Sequence, residues 1–295
     1  MIGVSTIFYG YKGEPILEKI RKITEIFEKM QYPPFIQIGA GEPKAEYDEV
    51  VKGANELKES YGIKYSIHQS IWLPSSDFYI NLASSSNEIR QKSILALKKS
   101  IDFAIDIGAK RISFHAGYAT ETVTQEDEFV PVAPSTLIPL DMAYENSIKS
   151  IEELLDYAND DVQLSIENFN YRPERGYLFS LPKDFEMLPK KVGVILNAGH
   201  VYYSQVKLNN PNYQHELVDA IKRRVFEMHV NDNDGSEDQH MLVGYGKVPL
   251  RSILNDVREH QKLPDLIIES HKKRHNYVDD DLKNNIALVA KLAAD

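Results

Sequence analysis

Three features of the sequence predict an α/β chain folded as one closed (β/α)8 TIM barrel. Short β-branched or aromatic runs recur along it, each preceded by a helical pattern, as buried parallel strands in βα units do. Six of these runs end on a metal-binding or proton-transferring residue: Ser66-Ile67-His68, Ser113-Phe114-His115, Ser165-Ile166-Glu167, Val194-Ile195-Leu196-Asn197, Glu227-Met228-His229 and Ile267-Ile268-Glu269. A length of 295 residues without a Pro/Gly/Ser-rich linker between halves suits a single domain over 1–295, since such barrels run to about 250 residues. In a closed barrel the C-terminal strand ends share one mouth, so residues distant in sequence converge there.

Strands are expected at 2–8, 35–39, 64–68, 111–115, 162–167, 192–197, 225–230 and 265–269, with helices between them. The helix before the fourth strand shows Ile94, Leu97, Ile101 and Ile105 on one face, behind the capping-box pattern Ser85-x-x-Glu88. Helix-to-strand turns are tight, as at Tyr32-Pro33-Pro34, Gly108-Ala109-Lys110, Asn159-Asp160-Asp161 and Leu263-Pro264. Strand-to-helix connections are long; 117–140 has no periodicity and carries Pro131, Pro134 and Pro139. Long loops in a compact domain are usually functional or disordered, and these lie on the rim that carries the polar strand ends.

Composition narrows the chemistry. With 42% hydrophobic residues the chain can bury a large core, and with no cysteine any metal must sit on imidazole and oxygen ligands. A formal charge of −10 and a pI near 5.4 argue against a nucleic-acid partner, whose phosphates are met by Lys and Arg. No basic leader and no apolar stretch of about 18 residues is present, so no membrane association and a cytoplasmic location are expected.

Divalent ions of the Mn, Zn or Co kind favour mixed imidazole and carboxylate ligands. Glu167, Asn197, His229 and Glu269 end the fifth to eighth strands, so one ion could touch all four. A second group, His68, His115, His200, Asp238 and His240, supplies additional metal or substrate contacts; for His68 and His115 the alternative is a strand-end histidine bonded to backbone. His215, His260, His271 and His275 lie in helical or charged contexts and are expected to be solvated. Trp72, with Phe78 and Tyr79, could wall a sugar face or simply pack between loops. The run His271-Lys272-Lys273-Arg274-His275 follows the eighth strand, where barrels often bind phosphate, although a solvated loop fits it as well. Asp232-x-Asp234-Gly235 is no EF-hand, because Met241 stands where the bidentate Glu is needed.

Several segments resemble the xylose isomerase-like TIM barrel superfamily over nearly the whole chain. They are Asn81-Leu82-Ala83-Ser84 before Glu88-Ile89-Arg90, Phe114-His115-Ala116-Gly117, Ile166-Glu167-Asn168, and the run from His229 to Gly235 leading to Asp238-x-His240 and Gly244-x-Gly246. In the sugar isomerase/epimerase branch the resemblance implies one divalent ion, often manganese, on Glu167, Asn197, His229 and Glu269, with Mn or Zn favoured over Mg or Co. It also implies that Glu167 and Glu269 form the acid/base pair and that His200 contacts a substrate oxygen. The related endonuclease IV branch uses nine ligands for three zinc ions; His68, His115, Glu167, His200, His229, Asp238, His240 and Glu269 match by type, and Asn197 does not.

Three departures count against the nuclease: the loop after His68, the reading Asn197-Ala198-Gly199-His200 for Asp-Thr-Cys-His, and the short segment between His229 and Asp238. The expected function is therefore a metal-dependent isomerase or epimerase of a small sugar or sugar phosphate, with a homo-oligomer possible. The alternatives are an endonuclease IV-like phosphodiesterase acting on abasic DNA and a non-catalytic carbohydrate-binding barrel.

Overall fold

The computed structural model describes residues 1–10, 14–39, 46–75, 78–125, 128–131 and 137–294, without the side chains of 122–125 and 128–131. In chain order the strands are β1 (Ile2–Ser5), β2 (Phe35–Ile38), β3 (Lys64–His68), β4 (Arg111–Phe114), β5 (Thr122–Gln125), β6 (Glu128–Pro131), β7 (Gln163–Glu167), β8 (Gly193–Asn197), β9 (Val225–Val230) and β10 (Asp265–Ile268). Eight of them close a parallel barrel in the order β1-β2-β3-β4-β7-β8-β9-β10, with Val4 of β1 paired to Ile36 on one side and Ile268 on the other. These are the eight expected strands. β5 and β6 pair only with each other, antiparallel, so the aperiodic 117–140 connection contains a hairpin. Pro139 is the residue that precedes the next helix, and Pro134 lies outside the described residues.

The helices are α1 (Ile16–Lys29), α2 (Tyr47–Tyr61), α3 (Asn87–Asp106), α4 (Leu140–Ala158), α5 (Ala198–Lys207), α6 (Tyr213–Ile221), α7 (Leu250–His260), α8 (Lys272–His275) and α9 (Asp279–Ala294). Two replace the single helix expected between β8 and β9. None of the described helices is long and apolar enough to cross a membrane.

Three local expectations change. The first strand stops at Ser5, whose hydroxyl accepts the Ile7 N–H and starts a 3-10 turn over Thr6–Tyr9. The cap of α3 is Ser86, which accepts the Ile89 N–H, while Ser85 and Ser84 bond Glu121 and Glu88 pairs with Lys92. Along α3, Ile94, Leu97 and Ile101 are buried, but Ile105 is 45% exposed, and Phe103 and Ala104 cover the core in its place.

Strand periodicity explains where the site can form. Side chains at i and i+2 share a face, so each ligand-bearing strand end has a partner two residues earlier on the inner side: Ser66, Ser113, Ser165, Ile195, Glu227 and Ile267, all buried. The alternate residues Ile67, Ile112, Phe114, Ile166, Leu196 and Met228 belong to the hydrophobic core beneath the helices. Gly193 has no room for a side chain, since a Cβ there would lie 1.8 Å from the Phe226 ring.

Candidate metal and active site

The strand ends deliver His68, Glu167, Asn197, His229 and Glu269 to one mouth, and His115 follows directly after β4. His200 arrives on the first turn of α5, because β8 passes into that helix without a loop and Asn197 serves as both strand end and helix cap. Asp238 and His240 come from the segment after β9. Asp232 shapes that segment by accepting the backbone N–H groups of Asn233, Val248 and Gly244 at 2.8–2.9 Å. Gly246 is needed there because a Cβ would approach Asp232 Oδ1 to 2.4 Å. With both Asp232 oxygens given to backbone donors, the segment is not a calcium loop.

Two groups of donor atoms result. In the inner group, one ligand atom each from His68, Glu167, His229 and Glu269 lies within 4.8 Å of the others. Glu167 Oε2 stands 3.2 Å from His68 Nε2 and 3.3 Å from His115 Nε2. Glu167 Oε1 and Glu269 Oε2 both face His229 Nδ1, at 3.2 and 3.1 Å. In the outer group, His200 Nε2 and His240 Nε2 approach the same oxygen, Asp238 Oδ2, at 3.0 and 3.3 Å. The two groups touch, with His200 Nδ1 3.6 Å from Glu167 Oε1 and His240 Nδ1 3.6 Å from Glu269 Oε2.

Hydrogen bonds on the far side of each ring decide what the rings offer. Ser113 donates to Ile67 O, so its hydroxyl oxygen accepts from His68 Nδ1 at 2.9 Å and the lone pair of His68 Nε2 is left facing Glu167. His200 Nδ1 lies 2.7 Å from Asn168 O and His240 Nδ1 lies 3.2 Å from Glu269 O; each must donate to that carbonyl, which leaves Nε2 for Asp238. This backing of ligand histidines by carbonyl and hydroxyl groups is a common support for metal-binding imidazoles.

Burial and mutual charge pull the groups in opposite directions. Burial holds the His68 imidazole near pKa 3, against the pull of Glu167. Burial opposes protonation of His229 too, but Glu269 and Glu167 outweigh it and raise it well above the ordinary value. For His240, burial is overcome by Asp238, and its pKa rises to about 9. Burial would raise Glu269, yet His229 brings it down to about 2.

The donor set fits divalent ions at these groups, with one exception. Glu167 Oε2 is buried without a well-formed hydrogen bond and faces the His68 Nε2 lone pair, an arrangement that a cation completes; in the outer group Asp238 Oδ1 is buried without a hydrogen bond as well. The exception is Asn197, expected to lend its amide oxygen: its Nδ2, not its oxygen, faces Glu167 and Glu269, at 2.7 and 3.0 Å.

Other expected residues lie elsewhere. Trp72 is buried between Tyr47 and Phe103, with ring centroids 4.9 and 5.0 Å away, and Lys99 Nζ lies 4.9 Å from its ring centroid. Its apolar bulk fills the seam between α2 and α3. His271 is not solvated; its ring packs edge-on against His240 at 5.1 Å, and burial depresses it to about 3. Arg274 and His275 donate to the carbonyls of Asp238 and Gln239, so the basic run braces the segment that carries the outer group. His215 is exposed as expected.

Sequence reasoning missed Gln37, whose Nε2 bridges Glu227 Oε1 at 2.5 Å and His229 Nε2 at 2.9 Å. Its signal was a lone amide inside the apolar strand Phe35-Ile36-Gln37-Ile38. Phe169 was missed as well; its ring lies 4.5 Å from His115 and stacks on Tyr177, forming an apolar wall beside the histidines.

A family model described as xylose isomerase-like TIM barrel matches residues 25–291. The chain belongs to this family. Among curated relatives, a probable endonuclease 4 of Aquifex aeolicus is 24% identical over 222 residues, 69% of this chain and 71% of that protein. A fructoselysine 3-epimerase of Shigella flexneri is 23% identical over 242 residues, 75% of each chain. The solved structure of a D-tagatose 3-epimerase-like protein superposes with a TM-score of 0.73 at 19% identity, covering 98% of both chains. The relatives are thus epimerases and endonuclease 4-like enzymes, which supports an enzyme here.

Proposed function

We propose that this chain is a divalent-metal-dependent isomerase or epimerase acting on a small sugar or sugar phosphate. The observation that carries the reading is that Glu167 and Glu269, from β7 and the end of β10, lie within 2.7 and 3.0 Å of one nitrogen atom. Two carboxylates this close can address one substrate carbon or its neighbour. They differ in freedom: both Glu167 oxygens are ringed by nitrogen atoms, whereas Glu269 Oε1 has no hydrogen bond or ion pair among the described residues. Glu269 is therefore the better placed to take a proton, and Glu167 the second group of the pair. His200 is buried, with Nδ1 held by Asn168 O and Nε2 facing Asp238 Oδ2, so it serves the outer group. A divalent ion held by His200, Asp238 and His240 would supply Lewis acidity toward a carbonyl or phosphoryl oxygen. The sugar 3-epimerase relative and the net charge of −10 support a small-molecule substrate over DNA.

The test is solvent exchange. With the right ketose or ketose phosphate in deuterated water, the metal-loaded protein incorporates deuterium at the reacting carbon; a panel that gives no exchange with any member removes the reading. A second reading, a zinc-dependent phosphodiesterase, is favoured by His68 and His115 converging on Glu167 Oε2, positions an acid/base pair alone does not need. Chelator-sensitive cleavage of an abasic-site duplex at low protein concentration would put it first.

A further inference from the structure

The Asn197 side chain is oriented by the backbone. Its Oδ1 accepts the His200 N–H at 3.2 Å, capping α5, and a second bond from Asn231 Nδ2 at 3.1 Å. A main-chain N–H can only donate, so the oxygen belongs on that side and the amide cannot be turned over. Nδ2 is thereby directed between the two glutamates. An amide nitrogen carries two hydrogens and offers no lone pair to a metal. A carboxylate at the same place would keep one oxygen on the His200 N–H and press the other against Glu167 and Glu269, and three carboxylates in a buried site require a cation among them.

We propose that Asn197 is a hydrogen-bond clamp standing in for a metal ion between Glu167 and Glu269, so that this protein binds no ion between those two carboxylates and confines tight binding to the flanking donors. The surroundings are built for the clamp. Asn231, which steadies the amide oxygen, occupies the space beside Gly199, where a Cβ would fall 1.8 Å from Asn231 Oδ1. Asn233 Nδ2 donates to Gly199 O at 2.9 Å, and Asn168 Oδ1 accepts the Asn197 N–H at 2.7 Å. Asn197 is in these terms a positioning residue: it holds both glutamates at a fixed separation without an ion. The inference does not depend on which reaction the protein performs, because its readout is the number of ions and not turnover.

The experiment compares chelator-stripped wild type with Asn197→Asp, each titrated with Zn²⁺ and Mn²⁺ by calorimetry, with stoichiometry checked by native mass spectrometry. The variant is expected to bind one equivalent more than the wild type. In chelator its melting temperature falls below that of the wild type, and saturating metal restores it. Equal stoichiometry, with no difference in chelator, overturns the proposal. Asn197→Ala gives an independent outcome should the Asp variant not fold without metal. If Asn197 is a clamp, the alanine variant frees the place between the glutamates and binds metal at least as tightly as the wild type; a loss of about tenfold or more, the scale expected when a metal site loses a partner, marks Asn197 as a ligand and overturns the clamp.

Discussion

The floor and the mouth of the barrel both gather charge, in opposite balance. At the floor one carboxylate, Asp265, meets the Met1 amino group at 2.7 Å, Lys64 Nζ at 2.5 Å and Arg111 at 2.8 Å. At the mouth Glu167, Glu269 and Asp238 meet only imidazoles and an amide, with no Lys or Arg against them among the described residues. Permanent cations at the floor make its charge balance independent of anything bound. The mouth balances only by holding protons or an ion, an arrangement that serves binding at a cost in stability. Barrels generally divide these tasks between their two faces.

The largest effect should come from the mouth. Glu269→Gln and Glu167→Gln are expected to lower turnover by about 10²–10⁴-fold, the usual contribution of a general acid or base, with thermal stability unchanged or raised. Solvent deuterium incorporation checks this, and full exchange in a metal-loaded Gln variant would shift the proton to another carrier, with His200 next in line.

The outer layer sets the limit of the mouth. Trp72→Ala should cost about 3–5 kcal/mol of stability, as large-to-small changes in packed cores do, and leave sugar affinity untouched. Calorimetry showing weakened sugar binding in a fully stable variant would move Trp72 into the site.

The floor should answer through stability alone. Asp265→Asn is expected to cost about 2 kcal/mol and leave metal affinity unchanged. The sign of its pH dependence follows from burial being outweighed by Lys64 and the N-terminal amine, which lower the carboxyl from 3.8 to about 2. The unfolded chain then takes up the proton first, so the stabilisation is complete above pH 3.8 and is lost as pH falls toward 2. Urea midpoints of wild type and variant should accordingly differ at neutral pH and converge in that acid window. A gap that persists below it would assign the effect to something other than the charge.

Much of this was legible in the chain itself. Ser-Ile-His, Ser-Phe-His and Ser-Ile-Glu announce strands whose ends turn inward, because a period of two fixes which side chains share a face. The eight strands and the inward residues His68, Glu167, His229 and Glu269 follow from that local rule and from the length available for closure. The loops were less legible. The hairpin of β5 and β6 and the break between α5 and α6 are local features with little periodic pattern, whereas the packing of His271 against His240 joins segments far apart in sequence, which no local pattern encodes.

Asn197 marks the boundary most sharply. The sequence by itself determined that an amide stands at the end of β8, three residues before His200. Only the tertiary structure decided which atom of that amide faces the glutamates, because the choice belongs to the His200 N–H at the start of α5 and to Asn231 just after β9. Hydrogen-bond direction is set by the partners that folding assembles, and residue type alone leaves both ends of an amide available.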